Sequence, residues 1–254
     1  MPEPVIEFRD VSYSVAGNHV VLKSLSFEVS TGEVLVLLGR SGSGKTTALK
    51  LANRLLFNQQ GEIRIQGRSL REWDVIQLRR QIGYAIQEVG LFPHYTIAQN
   101  IGLVPEIEKW PAARIRARVD ELLRLVGLPE ELRNRYPHQL SGGQRQRVGV
   151  GRALAADPPM LLMDEPFGAL DPITRADLQR DFLALQRELR KTVLFVTHDL
   201  NEAVSLGTKI GLLEAGRLVS LTSSGDFANS ADPFVRRYLR AFGALPNGDR
   251  QGCA

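Results

Sequence analysis

The chain has 254 residues, 43% of them hydrophobic and 24% charged, a balance that suits a soluble globular protein of one large domain carrying an insertion. No apolar run approaches the roughly 20 residues of a membrane span, and Met1-Pro2-Glu3-Pro4 has neither region of a signal peptide, so a cytosolic location is expected. The single cysteine, Cys253, excludes an internal disulfide, and the net charge of +4 is scattered along the chain instead of forming a nucleic-acid track.

Val5 to Arg9 and Asn18 to Val29 are rich in β-branched and aromatic residues and flank the turn signal Ala16-Gly17-Asn18, which predicts two strands with Tyr13 near the turn. The apolar run Val34 to Leu38 predicts a third strand. It leads into Gly39-Arg40-Ser41-Gly42-Ser43-Gly44-Lys45-Thr46-Thr47 and then a helix from Ala48 to Leu56. A strand, a glycine turn and a helix in that order aim backbone N–H groups and the positive helix end at one point, which suits a phosphate chain. Glycines 39, 42 and 44 keep side chains away, Lys45 reaches the outer phosphates, and the Thr46 hydroxyl is placed to ligate Mg²⁺.

Glu62 to Gln66 reads as a short strand, Asp74 to Gln81 as a helix, and Ile82 to Ile86 as a strand ending at Gln87. Glu88 to Trp110, with Gly90, Pro93 and Pro105, predicts an irregular connection with a short helix near Ala98 to Leu103. From Ile115, the residues Val119, Leu122, Leu123 and Val126 keep a helical period closed by Gly127 and Pro129. Residues 88 to 150 are therefore read as a mostly helical insertion into a parallel α/β sheet. Arg114, Arg116 and Arg118 read as a solvated helix face.

Leu140-Ser141-Gly142-Gly143-Gln144 opens a helix from Arg145 to Ala156, as a second anion site or as a plain cap. Gly149 and Gly151 inside it cost about 1 kcal/mol each relative to alanine, which predicts close packing around them. Met160 to Met163 is a short buried strand ending in Asp164-Glu165-Pro166. Beside a phosphate loop these carboxylates suit Mg²⁺ coordination by Asp164 and water activation by Glu165; a simple turn is the alternative. Asp171-Pro172 reads as an N-cap and first-turn pair, with Leu178, Phe182, Leu185 and Leu189 on one helix face. Val193 to Val196 is the last long apolar strand, and His198 stands at its end. Ile210 to Leu213 and Leu218 to Leu221 flank a turn at Gly216, a helix runs from Pro233 to Phe242, and residues 244 to 254 are expected to be a disordered tail.

The ordered series GRSGSGKTT, Gln87, LSGGQ, MLLMDE, GALD and His198 resembles the nucleotide-binding subunits of ABC transporters from about residue 5 to 242. The resemblance implies an α/β fold: a P-loop NTPase core with a mostly parallel sheet, an N-terminal antiparallel β region and an inserted helical subdomain, together forming an ATPase domain over residues 1 to 243. It implies ATP and Mg²⁺ as ligands. Gly39, Ser41, Gly42, Ser43, Gly44, Lys45, Thr46 and Thr47 match the phosphate loop, and Tyr13 resembles the aromatic that stacks on adenine. Gln87 matches the residue joining Mg²⁺ and attacking water to the membrane partner, and Asp164 the aspartate that supports the metal. Glu165 corresponds to the general base and His198 to the histidine on the γ-phosphate. Ser141, Gly142, Gly143 and Gln144 match the signature that closes the opposite subunit's site, and Asp171 the residue that carries signals between sites.

Residues 87 to 110 and 167 to 175 are similar to ATPase subunits of bacterial osmoprotectant importers for glycine betaine, choline, carnitine or proline. That resemblance implies an ATP-dependent homodimer on the inner face of the cell membrane, contacts with permease subunits through 87 to 110, an indirect link to a solute-binding protein, and no nucleic-acid partner. Phe92 and Trp110 either line the permease groove or pack the insertion. Many such ATPases continue into regulatory modules, so osmotic gating is expected to be absent or to reside in a partner, and relatives commonly carry alanine where this chain has Gly149 and Gly151. Another cargo, or an ATP-gated clamp on DNA or ribosomes, is the alternative; a clamp usually needs a long coiled coil or two cassettes.

Overall fold

The computed structural model describes residues 4–15, 19–86, 90–168 and 170–241. The chain begins with β1 (Pro4–Val15), β2 (His19–Ser30) and β3 (Val34–Leu38), followed by α1 (Lys45–Ala52). Next come β4 (Gln60–Ile65), β5 (Arg68–Ser69), α2 (Val75–Arg80) and β6 (Ile82–Ala85). The helices α3 (Ile97–Ile107), α4 (Ala112–Leu125) and α5 (Gly142–Leu154) then precede β7 (Met160–Asp164), α6 (Pro172–Leu189) and β8 (Thr192–Thr197). The last elements are α7 (Leu200–Leu206), β9 (Lys209–Glu214), β10 (Arg217–Ser223), α8 (Ser224–Ala228) and α9 (Pro233–Ala241).

Two sheets carry the fold. One is antiparallel, in the order β2-β1-β4-β5; the other has the order β10-β9-β3-β8-β7-β6 and is parallel except at β10. The inner strands of the parallel sheet are buried on both faces, which explains why they read as unbroken apolar runs. Along β3, Val34, Val36 and Leu38 enter one core while Leu35 and Leu37 enter the other. β8 alternates in the same way, with Val193 and Phe195 on one side and Leu194 and Val196 on the other.

The first core joins the sheet to α3 through Ile97 and Ile101, to α4 through Leu122 and Leu123, and to α6 through Phe182. Phe167, Phe182 and Phe195 pack there with ring centroids 5.8 to 6.3 Å apart. In the second core the antiparallel sheet closes over α1, with Phe8 stacked on Phe27 at 4.5 Å.

Several expectations are revised. α3 is longer than the predicted 98 to 103 segment because a Thr96–Gln99 capping box starts it and Pro105 is accommodated as a buried interior residue. Arg118 is not a solvated face residue: its side chain is 14% exposed and donates to the Leu154 and Ala155 carbonyls at the end of α5, where cations are favoured. Close packing is not met at Gly151, where an added Cβ would lie at an ordinary 3.6 Å from Ile101. The Ala16-Gly17-Asn18 turn and the 244 to 254 tail lie outside the described residues.

Candidate functional site

Because β3, β7 and β8 run parallel and in register, Leu38 opposite Thr197 and Asp164 opposite Val196, their carboxyl ends share one edge of the sheet. That edge, outside the ends of the strands, is where α/β sheets place ligands. The phosphate loop leaves β3, Asp164 and Glu165 leave β7, and His198 leaves β8.

Close neighbours set two of the loop's glycines. A Cβ on Gly39 would sit 2.3 Å from the Leu213 carbonyl, and one on Gly44 (φ 105°) would sit 2.6 Å from Leu22. The β9–β10 turn, with Ala215 at φ 48° and Gly216 at φ 81°, donates the Gly216 N–H to the Ser43 carbonyl at 3.1 Å. A hairpin turn of that geometry therefore braces the loop from behind.

Lys45 is 4% exposed, and its ammonium donates to the Gly39 and Arg40 carbonyls at 2.9 and 3.0 Å. Burial pushes its pKa down, against the opposing pull of the Glu165 and Asp164 charges. Thr46 donates its hydroxyl to Asp164 Oδ1 at 2.8 Å. Burial raises the Asp164 carboxyl above the ordinary range; the Thr46 bond and the Lys50 and Lys45 charges act against that, and the Glu165 charge adds to it.

Glu165 occupies the left-handed region at φ 45°, a conformation that costs a non-glycine residue roughly 1–2 kcal/mol. Its N–H is fixed to the Val196 carbonyl at 2.9 Å and its carbonyl to the Gly168 N–H at 3.1 Å. The strained residue points its carboxylate at His198, whose Nδ1 lies 3.0 Å from Oε2. A single pocket of about 550 Å³ is lined by Ser41, Gly42, Gly44, Lys45, Thr46, Thr47, Glu165 and His198, joined by Val21, Arg40 and Tyr238.

Ser141, Gly142, Gly143 and Gln144 are not among the residues lining that pocket. They form the start of α5, where Ser141 and Gln144 make a reciprocal capping box. A Cβ on Gly143 would meet the Thr174 side chain at 2.6 Å, so α5 and α6 approach closely there. Asp171 caps α6 by accepting from the Thr174 N–H at 3.0 Å, with Pro172 in the first turn. Tyr13 is half-buried opposite Leu22, packs on the second core, and does not line the pocket. Ser43 is buried in the loop, and Gln87 lies outside the described residues.

The sequence reading missed Val21, Arg40 and Tyr238 in the pocket wall; Tyr238 donates its hydroxyl to the His198 carbonyl at 3.2 Å from α9. It also missed Asn100, fully buried, which bonds the carbonyls of Phe92, Tyr95 and Thr96 and shapes the 92 to 96 loop. Phe92 opens that loop and is 41% exposed, and Trp110 is covered by Arg114 at 3.6 Å. No described helix is long and apolar enough to cross a membrane.

A family model described as ABC transporter matches residues 22–168. The chain is 48% identical over 236 residues to the glycine betaine/carnitine/choline transport ATP-binding protein OpuCA of Bacillus subtilis (strain 168), covering 92% of this chain and 62% of that one. It is 50% identical over 236 residues to the glycine betaine uptake system ATP-binding protein YehX of Escherichia coli (strain K12), covering 92% of this chain and 76% of the relative. Among solved structures, the dimeric post-hydrolysis state of the ATP-binding cassette MJ0796 bound to ADP and Pi superposes with a TM-score of 0.77 at 33% identity, covering 86% of this chain and 98% of the other.

Proposed function

The chain belongs to the ABC transporter family, and from that premise we propose that it is the ATP-hydrolysing subunit of a membrane importer for quaternary amine osmoprotectants. The observation that carries the reading is the convergence of Lys45, Thr46, Glu165 and His198 on one pocket. Residues 1 to 243 form the ATPase domain in this reading, with a helical subdomain over about 88 to 150.

Within the site, the loop N–H groups and Lys45 cradle the phosphates of ATP, and positioning and charge stabilisation supply most of the catalysis. Glu165, held by its backbone bonds, orients and deprotonates the attacking water, while His198 holds the γ-phosphate side of the pocket. Thr46 and Asp164 present two hard oxygens 2.8 Å apart, a donor pair that would hold Mg²⁺. Gln87 completes that set. A cation held there would supply neutralisation of the charge that develops on the phosphates.

The exposed Ser141 with Gly142, Gly143 and Gln144 closes the site of a second copy, and Asp171 signals across that contact. The dimeric arrangement of the MJ0796 cassette supports this reading. Permease subunits dock along 87 to 110, beside a cleft of about 220 Å³ whose lining includes Arg79, Arg80, Tyr84, Val104 and Arg152. The protein then works on the cytoplasmic face of the membrane, with the solute-binding protein reached only through the permease. The chain spans 62% of the length of OpuCA, and the solute class rests on the relatives' names.

The test is ATP turnover by the purified chain, alone and with its permease in vesicles. Turnover that falls at least about 100-fold in Lys45→Ala, as loss of a preorganised charge requires, supports the ATPase. Stimulation by glycine betaine with its binding protein supports the cargo; stimulation by DNA or RNA instead would remove the importer reading.

A further inference from the structure

α6 grips the turn that carries His198. Arg175 and Gln179 are four residues apart and share one face of that helix. Arg175 Nη1 bonds Asp199 Oδ2 at 3.2 Å, while Nη2 reaches back to the carbonyls of Leu170 and Gly168 at 3.1 and 3.5 Å. One turn on, Gln179 donates to the buried Glu202 at 3.2 Å. Glu202 also accepts from the Thr197 hydroxyl, and that same hydroxyl oxygen accepts the Asp199 N–H at 3.0 Å. The other oxygen of Asp199 caps α7 through the Asn201 and Glu202 N–H groups at 2.7 and 3.3 Å. His198 is thus bracketed by Thr197 and Asp199, both tied to α6, while Asp171 begins that same helix.

We propose that Arg175 is a positioning residue that fastens the Asp171 loop to the His198 turn, so that docking of a second copy against Asp171 and placement of His198 are one event. The inference rests on the ATPase reading above and deepens it. The planar guanidinium divides its donors between two sets of partners, one edge taking the carboxylate while the other holds two main-chain carbonyls. A lysine, with one ammonium, cannot span both sets. Asp199 is its counterpart, and its two oxygens are divided between the bridge and the α7 cap.

The experiment uses the full chain with ATP and Mg²⁺, comparing wild type, Arg175→Lys, Asp199→Asn and the double variant. Each single change lowers kcat at least about tenfold, the scale expected when a reacting group is displaced by a fraction of an ångström to an ångström. Nucleotide affinity stays within about twofold, because neither side chain lines the pocket, and the double variant is no slower than the slower single one. Unchanged kcat in both singles, or losses that multiply in the double variant, overturn the proposal. Hydrogen exchange of the Asn201 and Glu202 amides without nucleotide reads the bridge independently of turnover. Arg175→Ala speeds that exchange by about fivefold or more, and unchanged exchange overturns the bridge. If Arg175→Ala does not fold, Asp199→Asn, which keeps the cap, gives the deciding exchange measurement. Faster exchange in a chain whose wild type does not turn over ATP would sink the ATPase reading and leave the bridge standing.

Discussion

Two glycines near α5 are expected to respond to the same substitution with opposite signs. Gly151 is a buried interior residue of α5, and an added methyl would lie 3.6 and 3.8 Å from Ile101 and 3.8 Å from Val126, all ordinary contacts. Gly151→Ala therefore gains about 1 kcal/mol of helix propensity and about 0.8 kcal/mol from one buried methyl. The sum, about 1.8 kcal/mol, raises the thermal midpoint of a domain this size by roughly 4–7 °C. Gly83 in β6 is the counterpart: its added Cβ would fall 2.2 Å from the Ala153 carbonyl oxygen, a backbone atom that cannot swing aside. Gly83→Ala costs roughly 1–3 kcal/mol through overpacking. Both variants are read by thermal unfolding followed by circular dichroism. A lowered midpoint in Gly151→Ala, or an unchanged one in Gly83→Ala, would refute the packing on which the argument stands.

Gly39→Ala places a methyl 2.3 Å from the Leu213 carbonyl and is expected to abolish binding of a fluorescent ATP analogue while lowering stability by roughly 1–3 kcal/mol; retained binding would contradict the account of the loop. Glu202 is buried and its carboxyl is raised above its ordinary value of 4.5, with burial the largest cause and the Thr197 and Gln179 bonds opposing it. In the interval between 4.5 and the raised folded value the native state binds more protons than the unfolded one, so this group's contribution to stability falls as pH rises. Glu202→Gln removes that slope in urea titrations run upward from pH 4.5, and an unchanged slope would assign it elsewhere.

Much of this was legible along the chain because it is local. The glycine loop between β3 and α1, the Asp171-Pro172 helix start and the Ser141–Gln144 cap each need only a few neighbouring residues, and the sequence shows them. Apolar runs revealed the inner strands, though not that alternate residues of β3 and β8 feed two separate cores. What stayed hidden depends on partners distant in sequence. Pro105 signalled a break, but tertiary burial carries α3 past it. Arg118 looked solvated because its acceptors, the Leu154 and Ala155 carbonyls, lie at the end of another helix. The Arg175–Asp199 bridge crosses 24 positions and exists only once α6 is laid beside the β8–α7 turn.

If the phosphate loop is half of an ATP site that a second copy completes, Glu165→Gln should trap the closed pair. The amide keeps the side chain's size and removes its capacity to take a proton. Molar mass by light scattering, measured with and without saturating ATP and Mg²⁺, should then show a monomer becoming a stable dimer, with turnover abolished and ATP retained. A variant that binds ATP yet stays monomeric, or one that hydrolyses it at the wild-type rate, would contradict the account.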